Sequence, residues 1–437
     1  MKQVLIVSPH FPPTDAPDMH RIRVSLPYFR EFGWKATVLT VDSRCVEGFR
    51  EPRFAENLPV DTAVSRTSAL PARWTRKVGL GNLGLRAFPF LYEAGCRLIG
   101  DRSFDLVYFS TTVFTVIPLG RLWKRRFGIP LVVDIQDPWV TDYYDRHPQA
   151  RKPPKHAIAS RMHRMLEPWS MPAVDGVIAV SGAYIDDLAA RHPSLKRIPS
   201  MVLPFGAAPV DFDGVRQHPQ PNHFFDPGDG KIHVVYVGCG GQAMWPALRL
   251  VFSALRTGLS EDPGLFQRLQ LHFIGTDYAP PERSKKTIEP LARLLGVSGH
   301  VHEHPHRIPY FEALQVLRDG SMLLLPGTDD PQYTPSKSCP YILARKPLLA
   351  VLNEKSGACE VLRSTNAGTV VTFGPTRDTT AQAGDLYRKW REMLNHLALP
   401  PQTDWQAFEK FTARTMTRRQ CEFFDQVVCR TQMTSET

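Results

Sequence analysis

The sequence predicts an α/β protein in which buried strands alternate with helices in both halves of the chain. The first half opens with a strand at 2–8, a Pro-rich loop, a helix and a second strand at 35–40. In the second half, the stretch 321–352 contains an apolar run, a loop, a helix start and another apolar run. Strand–helix–strand units of this kind predict parallel sheets that bind ligands at their carboxyl edges.

The composition is that of a globular protein with room for two or three domains. Of the 437 residues, 43% are hydrophobic. The seven cysteines form no C-x-x-C pair and no cluster with histidine at metal-ligand spacing, so we expect no zinc site, no disulfide framework and a cytoplasmic location. The apolar N-terminus is too short for a signal peptide, and the longest uncharged segment, 106–120, is too short to span a membrane.

The net charge is +10, from 53 basic and 43 acidic residues. A basic balance suits nucleic acid, anionic lipid or an anionic substrate. Because the sequence contains no nucleic-acid-binding motif, we expect no nucleic-acid partner. The stretch 71–101 mixes five basic side chains with aromatic and aliphatic ones. This mixture is typical of peripheral contact with an anionic membrane, and equally of ordinary helices whose arginines face solvent.

The loop and helix start within 321–352 predict an anion site. Pro326-Gly327 ends an apolar run, and Thr334-Pro335-Ser336-Lys337 opens a helix. A helix N-terminus offers free N–H groups and a positive dipole end, to which Ser336 adds a hydroxyl and Lys337 a cation. The simplest ligand for such a site is a phosphate.

The run P-S-K-x-x-x-Y-x-x-A-x-K-P in this stretch resembles the donor-site helix of GT-B glycosyltransferases, in particular family 4. The resemblance implies that Ser336, Lys337 and Tyr341 bind a nucleotide-sugar donor. The glutamate that is usual in the family is Pro340 here, and the usual glycine is Arg345.

The opening of the chain resembles the same family. F-P-P precedes a helix that contains Arg21, and a Gly-Trp pair precedes the strand at 35–40. The resemblance implies that Pro13 and Arg21 lie at an acceptor site. Many family members carry two glycines after F-P-P, where this chain has D-A-P-D at 15–18.

Two further strands are expected at 104–110 and 130–134, and the second ends in D-I-Q-D-P-W. Polar residues at the carboxyl end of a parallel strand lie over the ligand crevice. The motif resembles the D-x-R-D-P-W variant of a strand end in the same superfamily. The resemblance implies that Asp137 and Trp139 face the acceptor, with Asp137 as a catalytic residue. The alternative is that Asp137 caps the following helix and Trp139 lies in the core.

The stretches 174–181 and 201–212 resemble the V-S strand of the family and the hinge between its domains. The resemblance implies the GT-B architecture, in which two Rossmann-like domains face each other across a cleft. The expected parts are an N-terminal acceptor domain at 1–205, a linker at 206–230, a C-terminal nucleotide-sugar domain at 231–403 and a C-terminal helix at 404–437 that packs back on the first domain.

A G-C-G-G turn follows the first strand of the second domain. Gly238, Gly240 and Gly241 allow backbone N–H groups to approach a pyrophosphate. In family 4 an Arg and a Lys usually follow this turn, whereas the first cation here is Arg249. We therefore expect Arg249 and Lys337 to supply the positive charge of the donor site.

Three alternating histidines, His302, His304 and His306, lie in the stretch 301–317, which resembles the segment that holds the nucleobase in GT-B enzymes. Alternate residues of a strand share a face, as metal ligands could, but Pro305 interrupts the strand. GT-B transfer needs no metal, so we expect neither a metal nor a cofactor.

The expected function is transfer of a sugar from a nucleotide-sugar donor to a glycan or lipid-linked acceptor in cell-surface polysaccharide biosynthesis, and the family resemblance implies retention of anomeric configuration. Lys337 would stabilise the departing diphosphate, and Asp137 would orient or deprotonate the acceptor. One alternative is an inactive GT-B protein that binds a partner or an anionic glycan. The other is a nucleotide-sugar epimerase, which normally shows acidic and histidine residues at several strand ends.

Overall fold

Two parallel sheets form the framework of the computed structural model. The structure describes residues 1–78, 80–141, 156–277, 279, 281–329, 338–374 and 379–435. The chain divides into two compact units, Met1–Gly206 with Ala413–Thr437, and Ala207–Thr412. Each unit contains one of the sheets.

The first unit contains a seven-stranded sheet in the order β3-β2-β1-β4-β5-β6-β7, with all neighbours parallel. The chain reverses direction across the sheet between β1 and β4, which is where open parallel sheets bind ligands. The strands are Lys2–Val7 (β1), Trp34–Val41 (β2), Ala63–Thr67 (β3), Leu106–Ser110 (β4), Leu131–Ile135 (β5), Gly176–Ala179 (β6) and Ser200–Val202 (β7).

Local signals set the helix ends in this unit. The Asn82 side chain accepts the N–H groups of Gly84 and Leu85 at the start of Leu83–Asp101. Pro118–Phe127 begins with proline and ends at Gly128, which is left-handed with φ 70°. The helices are Met19–Ser25, Ala72–Thr75, Leu83–Asp101, Pro118–Phe127, His156–Ser170, Gly182–Arg191 and Ala413–Ser435.

The helix Ala413–Ser435 packs on the first sheet. Phe424 contacts Trp34 and Tyr108, with ring centroids 5.4 and 5.0 Å apart, and Asp425 pairs with Lys2 at 2.8 Å. The helix begins at 413, whereas 404 was expected from the sequence. Residues 404–412 and 207–230 belong to the second unit.

The second unit contains a six-stranded parallel sheet in the order β10-β9-β8-β11-β12-β13. Its strands are Ile232–Val237 (β8), Leu269–Ile274 (β9), Val301–His304 (β10), Met322–Pro326 (β11), Leu348–Asn353 (β12) and Thr369–Phe373 (β13). Its helices are Pro209–Gln217, Trp245–Glu261, Pro263–Phe266, Glu289–Leu294, Tyr310–Asp319, Ser338–Leu343, Gly357–Ser364, Thr379–Asn395 and Trp405–Phe408.

The predicted α/β fold with two Rossmann-like units is confirmed by these two sheets. The inner strands β4 and β11 are buried throughout, as are residues 4–7 of β1 and 232–236 of β8. These residues are mostly apolar, as expected of strands covered on both faces. Within the described ranges, no helix combines the length and the apolar character of a membrane span.

Candidate functional site

A network of buried polar side chains lies at the carboxyl ends of β4 and β5. Ser110 and Asp134 are neighbours across the two strands, and the Ser110 hydroxyl donates to Asp134 Oδ2 at 3.1 Å. Nε2 of Gln136 donates to the Ser110 hydroxyl and to Asp134 Oδ2, at 2.9 Å each. Because parallel strands end at the same edge of the sheet, strand-end residues far apart in sequence meet here.

Arg21 pairs with Asp134, a member of this network. Its Nε lies 2.6 Å from Asp134 Oδ2, an ion pair with both side chains almost fully buried, although the approach lacks hydrogen-bond geometry. The other guanidinium nitrogens donate to the carbonyls of Leu203 at 2.7 Å and Pro204 at 3.2 Å. Arg21 therefore holds its helix to the chain after β7, and does not present a cation to an acceptor as the sequence led us to expect.

Asp137 and Trp139 follow β5 but differ in exposure. Asp137 is exposed, yet partial desolvation of its carboxylate raises its pKa, with a further contribution from the negative charge of Asp18. Trp139 is 3% exposed and stacks on Phe114, with ring centroids 5.6 Å apart. Trp139 is thus a core residue, as the alternative interpretation held, and not an acceptor contact. Asp137 is accessible to a ligand.

Pro13 lies half-buried in the loop after β1. Its carbonyl accepts the N–H of Glu51 at 2.7 Å, and the carbonyl of Pro12 accepts a hydrogen bond from Arg66 at 2.9 Å. The backbone of this loop is therefore anchored, while the ring of Pro13 stays partly accessible.

The same loop contains a pair that the sequence analysis missed, His10 and Asp18. Nδ1 of His10 lies 2.9 and 3.1 Å from the two carboxylate oxygens of Asp18. The Thr111 hydroxyl and the Thr112 N–H also donate to Asp18, at 2.9 and 3.1 Å. The side chain of Asp18 is 1% exposed and that of His10 is 19% exposed.

The ionisation of Asp18 is set by opposing effects. Burial on its own raises the pKa of this carboxyl group. The hydrogen bond and the positive charge of His10, together with the hydrogen bonds from Thr112 and Thr111, outweigh burial, and the pKa falls below its ordinary value. Asp18 is therefore a buried carboxylate that remains charged near neutral pH.

The Gly-rich turn after β8 lies where the second sheet reverses direction. Gly238 and Gly241 have φ of 146° and 122°, which favour glycine. The N–H groups of Gly238 and Gly240 already donate to the carbonyls of Ile274 and Thr276, at 2.8 Å each. The sequence predicted that the N–H groups of all three glycines approach a pyrophosphate. Within the described part of the chain, the N–H of Gly241 is the one of the three that has no acceptor already.

Arg249 borders this turn on the helix Trp245–Glu261. It is exposed, and its guanidinium lies 5.7 Å from the centroid of the Trp245 ring. Because helical side chains lean toward the N-terminus of their helix, Arg249 leans toward the Gly-rich turn. Its position is compatible with the expected contact to a diphosphate.

Tyr341 has a different role from the one expected. It is 1% exposed, and its hydroxyl bonds the backbone N–H and carbonyl of Val237, at 2.8 and 3.2 Å. Tyr341 therefore anchors its helix to the end of β8 and is not available to contact a donor. Ser336 and Lys337 lie outside the described residues.

The buried carboxylate of Glu303 is connected to the Gly-rich turn through Thr276, whose carbonyl accepts the Gly240 N–H. It accepts the N–H groups of Thr287, Ile288 and Glu289 at 2.8 to 3.0 Å, where a negative charge complements the start of the helix Glu289–Leu294. It also accepts the Thr276 hydroxyl at 2.7 Å. The sequence offered a signal for this residue, since Glu303 is a lone acidic residue at the end of a strand.

The three alternating histidines do not converge. His302, His304 and His306 contact three different residues, Gln270, Phe224 and Ser284. Within the part of the chain that the structure describes, no group of three or more histidine, cysteine or acidic side chains could hold a metal ion.

Comparisons with known proteins agree with this architecture. Residues 22–206 match the family model described as a Glycosyl transferase 4-like domain. The crystal structure of Anabaena Alr3699/HepE in complex with UDP and glucose is similar over 98% of this chain and 100% of that chain, at 14% identity and a TM-score of 0.58.

Two other solved structures share the fold. The UDP-forming α,α-trehalose-phosphate synthase of Burkholderia xenovorans is 12% identical, covers 98% of this chain and 99% of its own, and has a TM-score of 0.60. The N-terminal domain of Candida albicans trehalose-6-phosphate phosphatase is 13% identical, covers 97% of both chains and has a TM-score of 0.59. No protein of curated function matches the sequence.

Proposed function

We propose that this GT-B glycosyltransferase, which resembles family 4, transfers a sugar from a uridine diphosphate sugar to a glycan or lipid-linked acceptor. The observation that carries the proposal is the Gly-rich turn after β8, where the Gly241 N–H and the exposed Arg249 adjoin the start of a long helix. Uridine is favoured because Anabaena Alr3699/HepE was solved with UDP and the Burkholderia synthase is UDP-forming.

The donor half would act by stabilising the departing diphosphate. Preorganised donors and cations stabilise such a charge better than water does, since they need no reorganisation during the reaction. Gly241 and Arg249 supply one N–H and one cation, and we propose that Ser336 and Lys337 add a hydroxyl and a second cation. This chemistry requires no metal and no cofactor.

The acceptor half would be the carboxyl edge of the first sheet. Asp137 is exposed there and Pro13 is partly accessible, so we propose that both border the acceptor. The family resemblance implies retention of anomeric configuration and a role in cell-surface polysaccharide biosynthesis. NMR of the purified product reveals the configuration of the new glycosidic bond and therefore tests retention.

A peripheral membrane location fits the surface of the first unit. Trp74 is 61% exposed and Leu80 is 45% exposed, while the cations of Arg73 and Lys77 lie 5.6 and 5.7 Å from the Trp74 ring centroid. Aromatic and basic groups together bind the anionic headgroup region of a bilayer. We propose that the protein works on the cytoplasmic face of a membrane, on a lipid-linked acceptor.

The direct test is release of UDP from UDP-sugars, with a detergent extract of membranes as the acceptor source. Wild-type protein is expected to release UDP from at least one sugar, and Lys337→Ala and Asp137→Asn to lose most of that activity while remaining folded. An inactive binding protein would bind UDP without releasing it from any sugar. The burial of Arg21 and Tyr341, two residues expected to bind substrates, favours that second candidate.

A further inference from the structure

We infer that the outward face of the helix His156–Ser170, formed by Ile158, Arg161 and Met165, is a membrane-binding surface fitted to a bilayer of anionic phospholipid. The inference deepens the membrane location in the proposed function and rests on it. It adds a second point of contact besides Trp74, and it names the edge of the first sheet that is turned toward the lipid.

Two large apolar side chains of this helix project into solvent. Ile158 is 72% exposed and Met165 is 67% exposed. They are seven residues apart, which is about two helical turns, so both lie on one side of the helix. Arg161 lies between them on that side and is exposed as well. Single exposed apolar residues are common on protein surfaces, whereas an aligned apolar pair on the solvent side of a helix indicates a surface for a partner.

The opposite side of the helix is bound to the rest of the first unit. Glu167 lies nine residues after Ile158, which is about two and a half turns, so its side chain points the other way. Its carboxylate is 1% exposed and lies 2.8 Å from both Nε of Arg191 and Nε2 of His192, at the end of the helix Gly182–Arg191. The helix is therefore fixed in rotation, and folding of the unit itself directs Ile158 outward.

The charge around the outward face selects an anionic partner. Arg161 and Arg164 are both exposed on this helix, and the sequence contains no aspartate or glutamate from 146 to 166. A second copy of the chain would bring like charges together, since a two-fold axis places the same residues against each other. A layer of anionic headgroups instead pairs with the arginines while Ile158 and Met165 enter the boundary of the acyl chains.

The helix belongs to a layer that covers one face of the first sheet. Leu166 packs against a hydrophobic cluster that also contains Ala87 and Trp123, from the helices Leu83–Asp101 and Pro118–Phe127. Helices that connect parallel strands run from the carboxyl edge of the sheet back to its amino edge. The start of each helix in this layer therefore lies toward the carboxyl edge.

Both membrane-directed groups lie toward that edge. Ser170 is six residues before β6, so its helix ends at the amino edge, and Ile158, in the first turn, lies toward the carboxyl edge. Trp74 precedes the start of Leu83–Asp101. Asp137, which we propose to border the acceptor, follows β5 at the same edge. A bilayer that contacts both groups therefore faces the acceptor edge, so a lipid-linked acceptor reaches this edge without leaving the membrane surface.

The test compares vesicle binding by the double variant Ile158→Ser/Met165→Ser with binding by the control Val60→Ser. Val60 is fully exposed and precedes β3, so it lies at the amino edge of the same sheet. With vesicles of phosphatidylglycerol and phosphatidylcholine at low salt, the double variant is expected to cosediment at least about tenfold more weakly than wild type. The control should bind as wild type does. The melting temperatures of all three proteins should agree, because the replaced side chains are exposed.

Hydrogen exchange of the wild-type protein locates the contact without any substitution. Amides of residues 157–165 are expected to exchange more slowly with phosphatidylglycerol vesicles than with phosphatidylcholine vesicles. Amides of the helix Ala413–Ser435 should exchange equally with both, because this helix packs on the other face of the sheet, against Tyr108. Equal exchange of residues 157–165 with both kinds of vesicle would contradict the inference even if the double variant fails to fold.

The remaining outcomes separate the inference from the proposed function. Equal binding by wild type and the double variant would overturn the role of the outward face and leave a membrane location that depends on Trp74. Wild-type protein that binds no anionic vesicle would overturn the membrane location and the inference with it. A dimer that the double variant abolishes would replace the bilayer with a second copy of the chain. Release of UDP from UDP-sugars with a detergent extract as acceptor source needs no bilayer, so its failure would overturn sugar transfer and leave the vesicle result intact.

Discussion

Nε of Arg21 lies 2.6 Å from Oδ2 of Asp134, with 3% and 0% of the two side chains exposed. Removing one partner leaves an unpaired buried charge, which typically costs about 3 to 5 kcal/mol. Arg21→Ala is therefore expected to lower the free energy of unfolding by that amount in a urea titration. Arg97→Ala is the control, since Arg97 pairs with Glu93 at the surface and should cost less than about 1 kcal/mol. Equal effects would contradict the structural role of Arg21.

Glu303 predicts a coupling between stability and donor binding. Glu303→Gln replaces the charged acceptor of three N–H groups and the Thr276 hydroxyl, so we expect a loss of about 1 to 3 kcal/mol in unfolding free energy. Because Thr276 also accepts the Gly240 N–H, UDP affinity should fall as well. Glu93→Gln, at an exposed position, should change neither quantity. A destabilised variant with unaltered UDP affinity would separate Glu303 from the Gly-rich turn.

His272 predicts a pH dependence of stability. Burial lowers its pKa to about 3, and the nearby charges of His302 and His233 act in the same direction. His233 Nδ1 lies 3.0 Å from His272 Nε2, and the His302 ring stacks on it at 5.1 Å. The pKa of His272 is lower in the folded chain than in the unfolded chain. As the pH falls, the unfolded chain therefore takes up a proton on this side chain before the folded chain does. The contribution of neutral His272 to the free energy of unfolding is complete above the ordinary histidine pKa of about 6.5. It is lost as the pH falls toward 3, by up to about 1.4 kcal/mol per pH unit.

Unfolding titrations at pH 7, 6 and 5 measure this slope. His272→Gln should reduce the slope of the unfolding free energy against pH by the contribution of one bound proton. His396→Gln, at an exposed position, should leave this slope unchanged. A slope that is the same in wild type and His272→Gln would show that His272 is not held neutral by the fold.

Trp74 predicts binding to anionic membranes. Trp74→Ala removes the exposed ring over which Arg73 and Lys77 lie, so cosedimentation with phosphatidylglycerol vesicles at low salt should fall severalfold. Phosphatidylcholine vesicles should bind neither protein, because the basic groups need an anionic partner. The exposed Trp405, in the second unit, provides the control Trp405→Ala. Wild-type protein that stays in the supernatant with anionic vesicles would refute the membrane location.

Arg249 predicts charge-dependent affinity for UDP. Arg249→Ala should weaken UDP binding about tenfold or more in calorimetry, since a hydrogen bond from a charged group contributes about 1.5 to 3 kcal/mol. Arg256 lies two turns further along the same helix and is exposed, so Arg256→Ala should bind UDP as wild type does. Identical affinities of the two variants would place the diphosphate away from Arg249.

The sequence predicted the two sheets because buried parallel strands appear as apolar runs separated by helices and turns. It misassigned Arg21 and Tyr341, since a motif places a residue near a crevice without showing whether its side chain faces the crevice or the core. It missed the His10–Asp18 pair because the groups that orient Asp18 follow β4, distant in sequence. The predictions for Ser336 and Lys337 stay predictions, as these residues lie outside the described part of the chain.

Donor binding is tested most directly by the melting temperature of the purified protein with UDP, GDP, ADP or dTDP. A ligand that binds only the folded state stabilises it by about 2.7 kcal/mol at a hundredfold excess over Kd. We predict a concentration-dependent rise with UDP that exceeds the rise with the other three nucleotides. No rise with any nucleotide, in protein that unfolds cooperatively, would contradict nucleotide-sugar transfer by this chain.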